Sequence, residues 1–323
     1  MIQVPTIDLA EWKAADPARR REMSEAIDVS LRQTGMFLLR GHDVAPEIAA
    51  GLRTCGRAFF ALSGEQKVTY AVRGRYDNGW TGPGLLAASA IEGNESTPDL
   101  HEAFHMGPTH RTGNAAFDTL YYPDNRWPAE IPELRVVAKR YTDEMVRVAH
   151  EMLTMLAAVL GIPEDFFTSR ARRATWTQNV NWYPPLTAVG AVRPGQMRVG
   201  PHFDFGSLSL LDRQLGVGGL EVWSTEGGWG APPYDPAALA VILGDLMNRW
   251  TDGRWRALRH RVLPPSPEAP DEELFSLVFF FEADPDTMVT PLAPPAGGGS
   301  GKEPVVAGES ILKNLGVITA PIS

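Results

Sequence analysis

Cysteine is almost absent: Cys55 is the single one in 323 residues. That excludes an internal disulfide and a cysteine-rich metal site, and it fits a reducing compartment, so a cytoplasmic location is expected. Basic charge is also short. Thirty Lys and Arg against 39 Asp and Glu leave a net charge of −9. Binding to a phosphate backbone needs a basic patch, none stands out, and no nucleic-acid partner is expected. Long apolar runs are missing too. No stretch approaches the ~20 residues of a membrane-spanning helix, and no membrane partner is expected. The opening Met1 to Leu9 lacks the basic start and apolar run of a signal peptide. What is present, 44% hydrophobic and 21% charged residues, is enough to bury a substantial core.

The first half has helical periodicity. Asp16-Pro17 opens a segment with apolar positions at Met23, Ile27 and Leu31, and a short β-like run follows at Met36 to Leu39. A second helical pattern covers Glu47 to Leu62. The longest begins after Pro132, where Leu134, Val137, Tyr141, Met145, Val148, Met152, Leu156 and Val159 recur at spacings of three and four. Gly161 and Pro163 supply its stop. An apolar stripe of this length predicts a helix packed across a sheet.

After Arg173 the pattern becomes one of short apolar or alternating runs divided by Gly and Pro. They are Thr175 to Tyr183, Met197 to Leu211, Gly219 to Trp223, Ala238 to Leu246, Trp255 to Val262 and Leu274 to Phe281. Such runs predict an all-β sandwich or barrel with flanking helices, an α+β chain. Pro294 to Gly301 reads as a surface loop. It lacks the preceding strand and the Gly-Lys-Ser/Thr entry that a phosphate cradle requires. No repeat or linker divides the chain, so one domain over 1–323 is expected: a helix-rich part (1–173), a β core (174–290) and a C-terminal segment (291–323).

Within the β region stands Gly200-Pro201-His202-Phe203-Asp204-Phe205-Gly206-Ser207-Leu208. A strand has a side-chain period of two, so His202 and Asp204 would project from one face. His260, in Leu258-Arg259-His260-Arg261-Val262, is a distant second imidazole. Two histidines and one carboxylate on one side of a metal leave its other positions open, the arrangement of non-haem Fe(II) oxygenases. A structural His–Asp hydrogen bond with His260 at the surface is the alternative.

Further motifs surround this one. They are Val4-Pro5-Thr6-Ile7-Asp8-Leu9, Thr34-Gly35-Met36-Phe37, Asn181-Trp182-Tyr183-Pro184-Pro185, Gly218-Gly219-Leu220-Glu221-Val222, Leu243-Gly244-Asp245-Leu246 and Asn248-Arg249-Trp250-Thr251. With His202, Asp204 and His260 they make nearly the whole chain resemble the Fe(II)- and 2-oxoglutarate-dependent oxygenases, in the branch that includes isopenicillin N synthase. The resemblance implies a double-stranded β-helix, or distorted jelly roll, with the long helix packed outside. It implies His202, Asp204 and His260 as ligands of Fe(II), with 2-oxoglutarate and O2 as co-substrates and a small organic molecule as substrate. The implied chemistry is oxidative decarboxylation to succinate and CO2, coupled to hydroxylation, desaturation or ring closure. His42, His101, His105, His110 and His150 match no ligand position of the family. His150 is expected to be a surface or packing residue of the long helix, and His101 and His105 are candidates to reach a substrate.

The family holds the far carboxylate of 2-oxoglutarate with an Arg-x-Ser pair on a late strand and a tyrosine of the Asn-x-Tyr-Pro element. Tyr183 and Ser276 match two of these positions, and Asn181 is expected to line the same pocket. The arginine position is Leu274. A carboxylate buried against leucine needs another donor. Arg198, four residues before His202, has the strand parity to face the interior and is the first candidate; Arg256, four before His260, is the second. Outward salt bridges are the alternative for both. A local misalignment from the Pro264-to-Glu273 insertion is a further explanation, which Ser276 and the strand after it disfavour. The departure also raises another reading, an Fe(II) oxidase or cyclase that does without 2-oxoglutarate; a small-ligand binding or sensing protein that kept the barrel but lost catalysis is a separate alternative. Tyr76 to Ala90 and Pro184 to Val199 are expected to shape the mouth, with Trp80 and Trp182 as substrate contacts.

Overall fold

The computed structural model describes residues 2–74, 77–93 and 97–319; Tyr76, at the start of one expected mouth segment, lies outside them. The strands, in chain order, are β1 (Thr6–Asp8), β2 (Met36–Arg40), β3 (Gly79–Thr81), β4 (Glu102–Met106), β5 (Trp176–Tyr183), β6 (Val199–His202), β7 (Leu208–Arg213), β8 (Leu220–Ser224), β9 (Gly228–Gly230), β10 (Leu239–Leu243), β11 (His260–Val262), β12 (Leu274–Phe281), β13 (Met288–Val289) and β14 (Val305–Val306). One sheet has the order β1-β2-β10-β7-β12-β5-β4-β3, and a second the order β6-β11-β8-β9. Except for the parallel β1–β2 pair, the pairings in both are antiparallel. Side chains from both sheets line one internal cavity, the arrangement of a jelly roll.

Alternation along β12 shows how the sequence builds two faces from one strand. Leu274, Ser276, Val278 and Phe280 line the cavity, while Phe275, Leu277, Phe279 and Phe281 are buried in the core on the other side. That outer core is closed by the helix Leu134–Leu160, which buries Leu134, Tyr141, Met145, Val148, Met152 and Leu156 as its spacing predicts. Gly161 ends the helix with a left-handed φ of 69°, a conformation glycine adopts without penalty. His150 packs edge-on against Phe281, with ring centroids 5.3 Å apart.

The remaining α-helices among the described residues are Leu9–Ala14, Pro17–Gln33, Pro46–Phe60, Gly64–Thr69, Ala115–Tyr121, Leu186–Val189, Asp245–Trp250 and Ala307–Ile318. Asp16 caps Pro17–Gln33 by accepting from the backbone N–H groups of Ala18 and Arg19. The helix-rich half also contributes strands. β1 and β2 extend the large sheet beside β10, and β3 and β4 extend it beside β5. Three expected β runs are shorter or broken. Met197 to Leu211 divides into β6 and β7 around the loop at 203–207. Ala238 to Leu246 stops at Leu243 because Gly244 starts a helix, and Trp255 to Val262 is a strand only in its last three residues.

Candidate metal centre and co-substrate pocket

β6 and β11 run side by side with His202 directly opposite His260, and their rings stand 4.1 Å apart between centroids. Asp204 joins them from the loop beyond β6, so it does not share the strand with His202 as period-two counting expects. The loop turns the carboxylate back: the Asp204 carbonyl accepts from the Asp245 N–H at 2.8 Å, and Asp204 Oδ2 accepts from Ser209 Oγ at 2.5 Å. The Nε2 atoms of both histidines then lie 3.8 Å from Asp204 Oδ1. All three ligand atoms fall within 4.8 Å of one another.

The tautomers can be deduced. His202 Nδ1 lies 2.8 Å from the Gly200 carbonyl and His260 Nδ1 lies 3.1 Å from the Leu258 carbonyl. A carbonyl only accepts, so both Nδ1 atoms carry hydrogen and both Nε2 atoms present a lone pair. Two lone pairs and a carboxylate oxygen facing one another repel unless a cation lies between them. Burial and the neighbouring His260 push the His202 imidazole down to about 4, so it is neutral at pH 7. This donor set suits a divalent transition metal bound by nitrogen and oxygen.

Glu282, at the end of β12, supports the loop. Its Oε2 accepts from the Ser207 N–H at 3.0 Å. Burial, with Asp204 nearby, raises its carboxyl to about 8, so it is protonated at neutral pH. Gly206 is required beside it, because a Cβ there would stand 1.7 Å from Glu282 Oε2.

From the triad the cavity continues between the sheets. Val199, Leu211, Ile242, Val262, Leu274, Val278 and Phe280 form apolar walls, and Asn181, Tyr183, Arg213, Gln214 and Ser276 bring polar groups. Asn181 and Ser276 are directly opposite on β5 and β12. Asn181 Nδ2 is 3.5 Å from Tyr183 Oη, and Asn181 Oδ1 is buried with no partner among the described residues. Burial pushes the Tyr183 phenol above its ordinary value. An apolar slot with a few convergent polar groups is suited to a small ligand.

Two expected residues are elsewhere. Arg198 does not reach the cavity: Nη1 donates to Glu272 Oε1 and the Gly218 carbonyl, both at 2.9 Å, and Nη2 donates to the Glu272 carbonyl at 2.8 Å. The reason is a bulge. His202 pairs with His260 while Val199 pairs with Val262, so two residues of β6, Gly200 and Pro201, stand against one of β11, Arg261. The extra residue reverses the parity, and Arg198 faces away from the wall that Val199 and His202 form. Arg256 is exposed and donates to the Arg32 carbonyl. Leu274 lines the cavity and clusters with Ala88, Tyr183, Val199 and Val262. Arg213 also lines the cavity, two residues beyond Leu211, where the sequence predicts the strand to end.

Trp80 and Trp182 are packing residues. Trp80 donates to Glu102 at 2.7 Å, Trp182 donates to Glu273 at 2.9 Å, and Lys67, paired with Glu102, lies near both rings. His105 is bound to Thr81 and Asn179. His101 is buried beside Tyr183, with ring centroids 6.0 Å apart, and burial lowers it to about 4. The mouth segment is stapled to β6 by Asp99, which accepts from the N–H groups of Ala88 and Gly200 at 2.9 Å each.

Family models match both halves of the chain: residues 4–130 fit the non-haem dioxygenase N-terminal region named for morphine synthesis, and residues 176–283 fit the 2OG-Fe(II) oxygenase superfamily. A validamycin A dioxygenase of Streptomyces hygroscopicus subsp. limoneus is 58% identical over 98% of this chain and 87% of its own length. A 2-oxoglutarate-dependent dioxygenase of Dothideomycetidae sp. (strain 11243) is 28% identical over 92% of this chain and 91% of its own. Among solved structures, a full-length Neurospora crassa protein in complex with alpha-KG superimposes with a TM-score of 0.83 at 23% identity, over 97% of this chain and 96% of that one. A 2OG-Fe(II) oxygenase family protein of Caulobacter crescentus gives 0.80 at 25% identity, over 98% and 99%. With the double-stranded β-helix and the His–Asp–His cluster, these matches establish that the chain belongs to the Fe(II)- and 2-oxoglutarate-dependent oxygenases.

Proposed function

We propose that this enzyme oxidises validamycin A or a close structural variant of it. Membership of the family makes it an Fe(II)-dependent dioxygenase of small molecules, with 2-oxoglutarate and O2 as co-substrates. The observation that carries the finer reading is 58% identity over 98% of the chain to a validamycin A dioxygenase. The oxidase that dispenses with 2-oxoglutarate, raised by Leu274, and the non-catalytic binding protein find no support among these relatives.

In this reading His202, Asp204 and His260 hold Fe(II), and Asn181, Tyr183 and Ser276 line the place of 2-oxoglutarate. Bound iron supplies the activation of O2, coupled to decarboxylation of 2-oxoglutarate to succinate and CO2. The chain's own part is to present two neutral imidazoles and a carboxylate on one side. Ser209 fixes the carboxylate and the two backbone carbonyls fix the imidazole tautomers. Leu211, Ile242, Val278 and Phe280 wall the inner pocket with apolar surface, beside which a charged contact is stronger than in bulk water.

The N-terminal motifs support placing the chain in the isopenicillin N synthase-like branch, and the lone buried Cys55 supports a reducing, cytoplasmic setting. Strands from both halves share one sheet, which favours a single oxygenase domain.

Incubation with Fe(II), 2-oxoglutarate, O2 and validamycin A tests the substrate. Succinate should form in step with a product heavier by one oxygen atom. Succinate formation that validamycin A does not stimulate, with the compound recovered unchanged, would rule this substrate out.

A further inference from the structure

We propose that Arg213 holds the far carboxylate of 2-oxoglutarate, replacing from the neighbouring strand the arginine absent at Leu274. This rests on the reading that the cavity beside His202, Asp204 and His260 takes 2-oxoglutarate.

The register of the sheet places it. Ser276 of β12 is directly opposite Asn181 of β5 on one side and Arg213 of β7 on the other. The three therefore form a row across three strands, and all three line the cavity. Partners so placed have Cβ atoms about 5 Å apart, so an arginine at 213 and a serine at 276 can bind one anion together. Depth agrees as well. Ser209, which holds Asp204, lies four residues before Arg213 on β7, about 13 Å along the strand. A five-carbon diacid chelated at the metal and the length of an arginine side chain together cover that span.

The state of the guanidinium points the same way. Arg213 is half-buried, and burial lowers its pKa. Its Nη2 donates to the Pro233 carbonyl at 2.8 Å and the Pro232 carbonyl at 3.4 Å, and its guanidinium stands over the Tyr234 ring at 5.1 Å. These contacts hold the group without neutralising it. Among the described residues it makes no ion pair, whereas Arg53, on the helix Pro46–Phe60, is paired with the adjoining Asp212. A desolvated cation without an anion is costly, and a ligand carboxylate offering two oxygens to its fork is the natural complement. Leu274 cannot compete for this role. It packs against Tyr183, Val199 and Val262, and Gly216 closes over it so tightly that a Cβ there would lie 2.7 Å from its methyls.

The test is anaerobic titration of the Fe(II)-loaded protein, following the charge-transfer absorption that a chelating 2-oxo acid produces. Pyruvate serves as a second probe because it has the same chelating end and no far carboxylate. R213L should weaken 2-oxoglutarate by at least about 30-fold, as loss of one partner of a buried charge pair does. It should leave pyruvate and Fe(II) affinity unchanged, and R213K should fall in between. If R213L binds Fe(II) normally and 2-oxoglutarate as tightly as the unaltered protein, Arg213 is not the anchor, while the co-substrate pocket stands. If the unaltered Fe(II) protein shows no absorption change with 2-oxoglutarate, the pocket reading fails and takes the assignment with it.

Discussion

An imidazole binds a metal only through a lone pair, so the hydrogen on His202 Nδ1 matters as much as the residue itself. Its Gly200 carbonyl partner was invisible in the sequence, although the three residues that come together as candidate ligands were legible from their motifs. The reason is that ligand identity is chemistry written in residue types, while the groups that aim a ligand are often backbone. Replacing His202 by Ala leaves His260 and Asp204, two ligands from separate elements. Changes to groups that merely orient metal ligands cost roughly 10–100-fold in affinity, so H202A should weaken Fe(II) by more than about 100-fold. Anaerobic equilibrium dialysis measures this directly. Iron retained at the affinity of the unaltered protein would show that the metal is held elsewhere.

At the scale of elements, one extra residue in β6 separates the expected from the observed pocket. Counting by twos from His202 places Arg198 inside, but the bulge between Val199 and His202 turns it outward. Bulges leave little trace in a single sequence, because two residues opposing one require knowledge of the partner strand. Register has the same difficulty: Arg213 was plainly a basic residue near a strand end, yet its place opposite Ser276 depends on how β7 and β12 align. The outward Arg198 has its own work. With Glu272 it ties β6 to the turn between β7 and β8, where Glu272 Oε1 also accepts from the Gly218 N–H at 3.0 Å and Oε2 from the Val217 N–H at 2.6 Å. Arg198 is wholly buried, and removing its partner leaves a guanidinium that nothing neutralises. E272A should therefore destabilise the protein by about 3–5 kcal/mol in urea denaturation. Removing both charges with R198M/E272A should cost less than E272A alone. A loss below 1 kcal/mol for E272A would mean that water reaches and solvates this arginine.

Across the whole molecule, the jelly roll and the outer helix were legible because hydrophobic periodicity and family motifs agree over most of the chain, whereas β3 and β4 were not. They are short, and β4 carries the buried Glu102 paired with Lys67, a polar residue at a core position that conceals its strand character. Buried ionisable groups of this kind also set how the metal-free protein responds to pH. Burial lowers His42, His101, His105, His150 and His202, with His101 and His202 at about 4, and it raises Asp284, Asp99 (to about 6) and Glu282 (to about 8). A depressed histidine contributes stability that is present above about 6.5 and lost as pH falls, because the unfolded chain takes up protons that the fold refuses. A raised carboxyl acts in the opposite sense: its contribution is present below about 4.5 and lost as pH rises through the folded value. Between pH 8 and 6.5 Glu282 dominates, so stability should rise as pH falls. Below 6.5 the five lowered histidines outnumber the three raised carboxyls, and stability should fall, by about 1.4 kcal/mol per pH unit for each uncompensated proton. The metal-free protein should thus be most stable near neutrality. E282Q isolates one limb of that curve, since glutamine keeps the acceptor for the Ser207 N–H and cannot ionise. Melting temperatures from pH 4.5 to 9 should show E282Q above the unaltered protein at pH 9, with the gap closing toward pH 4.5. A gap that stayed constant over that range would mean that Glu282 keeps an ordinary carboxylate pKa in the fold.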